Sequence, residues 1–547
     1  MFTLVALDPA MVSPILYDTI TNPSNEIKQL YKSQGVPEFI NIVENHFRDL
    51  LSPQDAFYQI PPLGVSHPPT LHRQRSLVRF MGMVQDTSAS PEVYLSELDD
   101  GSFGGWGIYE NQVPSEQDAN DDRSTAMDYS KLRERESVWV VTLPAQSEWA
   151  RDLAGWLNQP YSHVCILAIS FPSYTCSKQY KHPSDIKGGF GISAKLYDGR
   201  SNLKPGETRI FVGILDEESI EDEDFNEQQN TAKTTQPILH VLFTMDSPDA
   251  SVFNMEQLQA SLPTDANAIR KELIEWIANE GLGGDTSTAT WMLLLSLTKV
   301  LTIASFPDPS EDDSSRPAII SVLQSILPAV ETAPLTLERI NGRSLIPNSV
   351  NEDLHAGLLQ QPEATVMIVT ESGLKNLNAL QSAISTQSLA YSFPYSTFSF
   401  NIDLIFAVLT SGSKSAFLKT DVVVRLKDGM TSKALYKEAK DIQLPSKEKL
   451  DSFRDYIAAC RKLTVTLEEE VGKVTRVSHN PVHQLMILQF IEDEFVRLRR
   501  ESTSALSSDD LVRRMTIAKL LAASQMEDKL TKEIWSTATV MDESRSK

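Results

Sequence analysis

Residues 283–294 read Gly-Gly-Asp-Thr-Ser-Thr-Ala-Thr-Trp-Met-Leu-Leu, a glycine turn running straight into an apolar stretch. Such a turn opens the helix of a phosphate-binding loop, and so points to an α/β domain. Glycines admit the phosphates to the backbone, a Lys follows for their charge, and a Ser/Thr hydroxyl takes Mg²⁺. Gly284, Asp285, Thr288 and Ala289 keep that pattern, but Thr290 stands at the Lys position and Trp291 at the hydroxyl position. A neutral Thr cannot offset phosphate charge, and an indole only donates a hydrogen bond. The segment reads either as a phosphate loop stripped of its chemistry or as an ordinary turn before an apolar helix.

Later runs favour the first reading. Residues 366–371 form an apolar strand pattern ending at Thr370 and Glu371, like a Walker B strand with Thr370 at the Mg²⁺-orienting Asp and Glu371 retained. Residues 406–411 end a second buried-strand pattern at Thr410 and Ser411, where a sensor Asn would stand. Asp509 falls where a helical lid would offer a sensor Arg. Phosphoryl transfer depends on metal and cationic clamps, so losing Lys, hydroxyl, Asp and Arg together predicts no catalytic residue, no cofactor and no metal.

The 547 residues correspond to three or four domains. A hydrophobic share of 41% and a charged share of 22% suit an ordinary globular chain. The net charge of −23 argues against strong direct DNA binding, since phosphate affinity is largely driven by Lys and Arg, and it favours basic protein partners. Cys165, Cys176 and Cys460 form neither a disulfide framework nor a CxxC zinc pair, which fits a reducing compartment. The start meets Asp8 and Pro9 without a basic region, so no signal peptide is expected. The apolar run 291–306 contains Lys299 and is too short for a membrane span; it predicts a buried helix.

Five regions are expected. Residues 1–69 form a helical N-terminal segment, with Phe39, Ile42, Val43, Phe47, Leu50 and Leu51 at helical spacing. Residues 70–215 carry short β-like runs at 76–85, 93–98, 137–143, 164–171, 191–197 and 209–215, the pattern of an OB-like β-barrel with insertions, among them a polar acidic loop at 111–130. Residues 216–236 are so acidic that they read as an extended linker. Residues 237–445 then form a degenerate AAA+-like, P-loop-like α/β core, with strands at 238–243, 364–369, 402–410 and 421–426 and an amphipathic helix at 266–280. Residues 446–547 form a helical lid, with helices at 450–462, 483–500, 509–524 and 532–541 and a capping box at Ser507 and Asp510.

Other motifs carry less. His479 and His483 flank Pro481 without a metalloprotease Glu, and Ser411-Gly412-Ser413-Lys414 lacks the companions of an SxxK site. Phe80, Tyr94, Trp106, Tyr109 and Trp139 could stack on bases near Arg73, Arg75 and Arg79, but core packing is the plainer reading.

With these motifs in view, the chain resembles the MCM complex-binding protein family over most of its length. Gly284, Asp285, Thr288 and Ala289 agree with the loop of the replicative MCM helicases. Further matches lie at 76–86, 136–149, 206–215, 334–347 and 507–511, in the family's order. The resemblance implies a nuclear, non-catalytic factor that binds MCM helicase subunits and reaches chromatin through them. It also implies removal of MCM complexes late in replication and support of sister-chromatid cohesion. Two alternatives stay open: an atypical AAA+ ATPase using Glu371, and a barrel that binds single-stranded nucleic acid through Arg73, Arg75 and Arg79.

Overall fold

The computed structural model describes residues 14–33, 39–98, 101–108, 129–151, 178–184, 189–197, 202–219, 235–246, 266–297, 300–309, 316–334, 344–351, 353–370, 377–413, 418–420, 422–466, 496–497 and 507–545. Outside them lie Tyr109, the loop expected at 111–130, the strand expected at 164–171, most of the acidic run, Glu371, Lys414, the pair His479 and His483, and most of the helix expected at 483–500.

The chain opens with helices α1 (Pro14–Thr21), α2 (Pro23–Ser33), α3 (Phe39–Leu51) and α4 (Gln54–Phe57). Phe39, Val43, Phe47 and Leu51 recur once per turn along α3, so one stripe is buried. That stripe packs against barrel residues including Trp106, Ile210, Val212 and Phe243.

Seven strands follow: β1 (Pro62–Leu63), β2 (Leu77–Asp86), β3 (Glu92–Leu95), β4 (Leu132–Thr142), β5 (Gly191–Leu196), β6 (Thr208–Ser219) and β7 (Thr235–Asp246). They order as β1-β2-β6-β7-β5-β4-β3, and a further β2–β4 pairing closes β2, β4, β5, β7 and β6 into a ring. Within that ring only β5 and β7 run parallel. Bulges between Val84 and Asp86 and between Val212 and Gly213 bend the long strands so that the ring can close. At Gly213 a Cβ would lie 2.5 Å from the His240 carbonyl oxygen, so only glycine fits.

This topology corrects two boundaries. Asp216, Glu217, Glu218 and Ser219 pair with Ile238, Pro237, Gln236 and Thr235, so the acidic run connects β6 and β7 of one barrel and is not a linker between domains. Residues 238–243 are therefore a barrel strand, and the α/β core begins after Asp246. A run of like charges marks an exposed connection, and hairpins need exposed connections as much as domain junctions do.

The α/β core comprises α5 (Ala266–Gly281), α6 (Thr286–Leu297), β8 (Val300–Ala304), α7 (Ala318–Ile326), β9 (Val330–Pro334), β10 (Asn348–Val350), β11 (Asp353–His355), β12 (Thr365–Thr370), α8 (Leu377–Thr386), β13 (Ser388–Phe393), β14 (Ser396–Asn401), β15 (Leu404–Leu409), β16 (Val422–Arg425) and α9 (Ser432–Leu435). Five strands form a parallel sheet in the order β16-β8-β15-β12-β9. Numbered along the chain, that order is 5-1-4-3-2. The near-continuous apolar runs of β12 and β15 are buried on both faces, as a covered parallel sheet requires. The run 291–306, expected as one helix, instead ends α6 and crosses into β8. A smaller sheet, β11-β10-β13-β14, stands beside the core.

Helices α10 (Lys447–Lys462), α11 (Ser508–Ser524) and α12 (Lys532–Ser544) end the chain. The capping box forms: Ser507 Oγ accepts from the Asp510 amide, and the Asp510 carboxylate accepts from the Ser507 amide. Phe453, Tyr456, Leu521 and Trp535 share one apolar cluster with α5, α6 and α7. No described helix is long and apolar enough to cross a membrane.

Barrel and core are joined by buried polar contacts. The Lys181 side chain, 4% exposed, pairs with Asp86 at 2.8 Å from the barrel and with Asp353 from β11. Trp149 Nε1 donates to the Gln324 carbonyl at 2.9 Å, the Val330 amide to the Ala145 carbonyl at 2.9 Å, and Gln360 Nε2 to the Gln85 carbonyl at 2.6 Å.

Candidate functional site: the carboxyl edge of the parallel sheet

Open α/β sheets bind ligands outside the carboxyl ends of their strands, and a phosphate loop lies between a strand and the helix after it. The first such connection leaves β8 and spans 305–317. It reads Ser305-Phe306-Pro307-Asp308-Pro309 and reaches Arg316-Pro317 through a stretch holding Glu311, Asp312 and Asp313, with neither Gly nor Lys. Its first two amides are already engaged. The Ser305 amide donates to the Gly412 carbonyl and the Phe306 amide to the Thr410 carbonyl, each at 2.9 Å. Pro307 and Pro309 have no amide proton to offer. Phe306, 3% exposed, meets the Tyr436 ring edge-on at 5.9 Å, and Tyr436 Oη donates to the Pro307 carbonyl at 3.1 Å. An anion here would meet an aromatic plug and carbonyl oxygens.

The turn at 283–286 has a different setting. It joins α5 to α6, helix to helix, so it lacks the preceding strand that a phosphate loop needs. Gly283 (φ +62°) and Gly284 (φ +97°) end α5, with the Gly284 amide donating back to the Ala278 carbonyl at 2.7 Å. Asp285 then caps α6. Its carboxylate accepts from the Ser287 and Thr288 amides at 3.0 and 3.1 Å, from Thr288 Oγ1 at 2.7 Å and from the Lys427 amide at 3.0 Å. Every lone-pair direction is used internally, and the carboxylate is 5% exposed by residue. Thr290 Oγ1 donates to the Thr286 carbonyl at 2.8 Å, and Trp291 is buried in the main apolar cluster. Gly284, Asp285 and Trp291 are thus a helix stop, a helix start and a core anchor, and Thr290 bonds only within α6. Sequence reading missed 305–309. The signal was present, because the amphipathic stretch at 266–280 directly before Gly283 already reads as a helix.

Of the other expected positions, Thr370 and Thr410 fall at the carboxyl edge. Thr370 ends β12, half-buried between Pro334 and Leu409 in register, and Glu371 lies outside the described residues. Thr410 directly follows β15, buried, and its amide donates to the Ile303 carbonyl at 3.1 Å. Asp509 is exposed in the first turn of α11.

The barrel arginines are largely committed to structure. Arg75 pairs with Asp216 at 2.6 Å and donates to Ser24 Oγ and to the Gly107 carbonyl. Arg79, 5% exposed, lies over the rings of Phe57 and Tyr58. Only Arg73 of the three is exposed. Phe80, Tyr94, Trp106 and Trp139 are buried, so core packing accounts for them.

Comparison with known proteins fits this frame. A family model described as mini-chromosome maintenance replisome factor matches residues 47–166 and 167–547. A mini-chromosome maintenance complex-binding protein of Salmo salar is 21% identical over 97% of this chain and 97% of its own length. One of Arabidopsis thaliana is 23% identical over 95% of this chain and 97% of its own length. The chain therefore belongs to the mini-chromosome maintenance replisome factor family.

Proposed function

We propose that this chain binds the MCM complex and acts in DNA replication as a non-catalytic partner of the helicase. Relatives spanning nearly the whole chain are named for that binding. One structural observation carries the non-catalytic part: the connection leaving β8 has neither Gly nor Lys, and its Ser305 and Phe306 amides are bonded to Gly412 and Thr410. Arg316 is outnumbered there by Asp308, Glu311, Asp312 and Asp313, so a nucleotide would meet net negative charge where a phosphate clamp needs positive.

In this reading the barrel is of the OB type, supported by its five-stranded closed ring. The α/β core is a degenerate AAA+ domain with α10, α11 and α12 as its lid, supported by the 5-1-4-3-2 parallel order that AAA+ motors share. Helicase subunits place nucleotides at their junctions. A motor-shaped partner without a phosphate clamp would occupy one side of a junction and leave it short of charge-assisted contacts. That favours an opened or partial ring, and hence remodelling or unloading of MCM complexes from chromatin in the nucleus, with sister-chromatid cohesion as the downstream benefit.

The test uses the full chain. It should retain purified MCM complex while showing no MgATP binding by calorimetry and no ATP turnover. Turnover abolished by Glu371→Gln would establish the ATPase reading instead, and failure to retain MCM complex would remove the proposal.

A further inference from the structure

The segment 376–402 contains no Asp, Glu, Lys, Arg or His, in a chain whose charged share is 22%. It includes the hairpin of β13 and β14, joined by Pro394 and Tyr395, with six residue pairs in unbroken register. Beta14 is the last strand of its sheet, and among the described residues no strand pairs with its outer edge. Ser396, Thr397, Phe398, Ser399 and Asn401 are exposed, Phe398 at 53%, and Tyr395 at the tip is fully exposed.

Folded proteins usually blunt such an edge with charge, proline or a bulge, because its unpaired N–H and C=O groups template another strand. None of these devices occurs within 396–401. The opposite edge of the same sheet is treated differently. Beta11 spans three residues, carries Asp353, and is held by Lys178, Lys181 and Tyr180 from the barrel side. The hairpin is also stiffened in advance. Tyr391 meets Phe400 at 4.7 Å and Phe393 meets Phe398 at 5.7 Å, so little ordering remains to be done on binding.

We propose that the outer edge of β14 is a docking strand, completed by an extended, uncharged segment of a protein partner that adds as a fifth strand, with Tyr395 and Phe398 as side-chain anchors. A ladder of backbone donors and acceptors is matched by another strand's backbone. The hairpin, lacking any charged residue, suits an uncharged segment and itself offers a nucleic-acid backbone no cation. Exposed aromatics flanking the edge are the kind of residue that concentrates binding energy. This rests on the MCM-binding reading and names the surface through which it acts.

The probe is purified MCM complex added to the full-length chain. Amides of 396–401 should exchange more slowly with deuterium in the complex than in the free protein. The double variant Tyr395→Ala, Ser399→Lys should bind MCM complex about tenfold more weakly while keeping the wild-type melting temperature. Wild-type binding with no added protection at 396–401, or equal binding by the variant, overturns this surface and leaves MCM binding standing. No binding by wild type removes both. Loss of self-association in the variant, or loss of salt-sensitive oligonucleotide binding, overturns the proposal in favour of a second copy or nucleic acid.

Discussion

The turn at 283–286 and the connection at 305–317 make an instructive pair. The first has the glycines of a phosphate loop and the wrong neighbours; the second has the right neighbours and neither Gly nor Lys. Gly283 and Gly284 are glycines because the end of α5 needs positive φ, and Asp285 is acidic because α6 needs a cap. Local chemistry common to helix junctions and phosphate loops cannot by itself distinguish them. What distinguishes them is the element that comes before.

The contrast can be broken in four ways, beginning with the largest effect. Trp291→Ala should cost roughly 3–5 kcal/mol, as for an aromatic truncated inside a packed core; a loss near zero in urea titration would mean that Trp291 lies in an open loop. Asp285→Ala should cost about 1–2 kcal/mol as a lost cap, and no change in unfolding midpoint would remove the capping assignment.

The third concerns the anchoring of the core beside the barrel. Burial raises the Asp353 carboxyl, but Lys181 and Tyr180 outweigh it and hold the group down at about 2. A depressed carboxyl stabilises the fold above its unfolded value near 4 and loses that contribution as pH falls toward 2. Asp353→Asn should lower stability at pH 7 by about 1 kcal/mol, the group being only partly buried, and should flatten the acid limb between pH 4 and 2. An unchanged acid limb in thermal melts would detach Asp353 from that role. The fourth expects nothing: Thr290→Lys should leave MgATP binding undetectable by calorimetry. Binding gained by that single change would return the phosphate site to α6.

Much of this molecule was legible in sequence where the cause is local. The α3 stripe, the Ser507 and Asp510 capping box and the buried runs of β12 and β15 all follow from spacing and composition. What escaped was long-range. The β5–β7 parallel pairing brings Ser193 beside Ile238, and no local pattern announces that 238–243 closes the barrel instead of opening the next domain. The plug at Phe306 escaped for a similar reason, since it exists through Tyr436 and Thr410, far along the chain. Arg75 and Arg79 looked available because their partners Asp216, Phe57 and Tyr58 are set by packing.

Lys181, sandwiched between Asp86 and Asp353, has a mechanical corollary. Opening the seam between the halves would part the Lys181 ammonium from Asp353, so the ion pair favours the closed seam. Through that contact, loosening the barrel around Asp86 would be felt at β11 of the core.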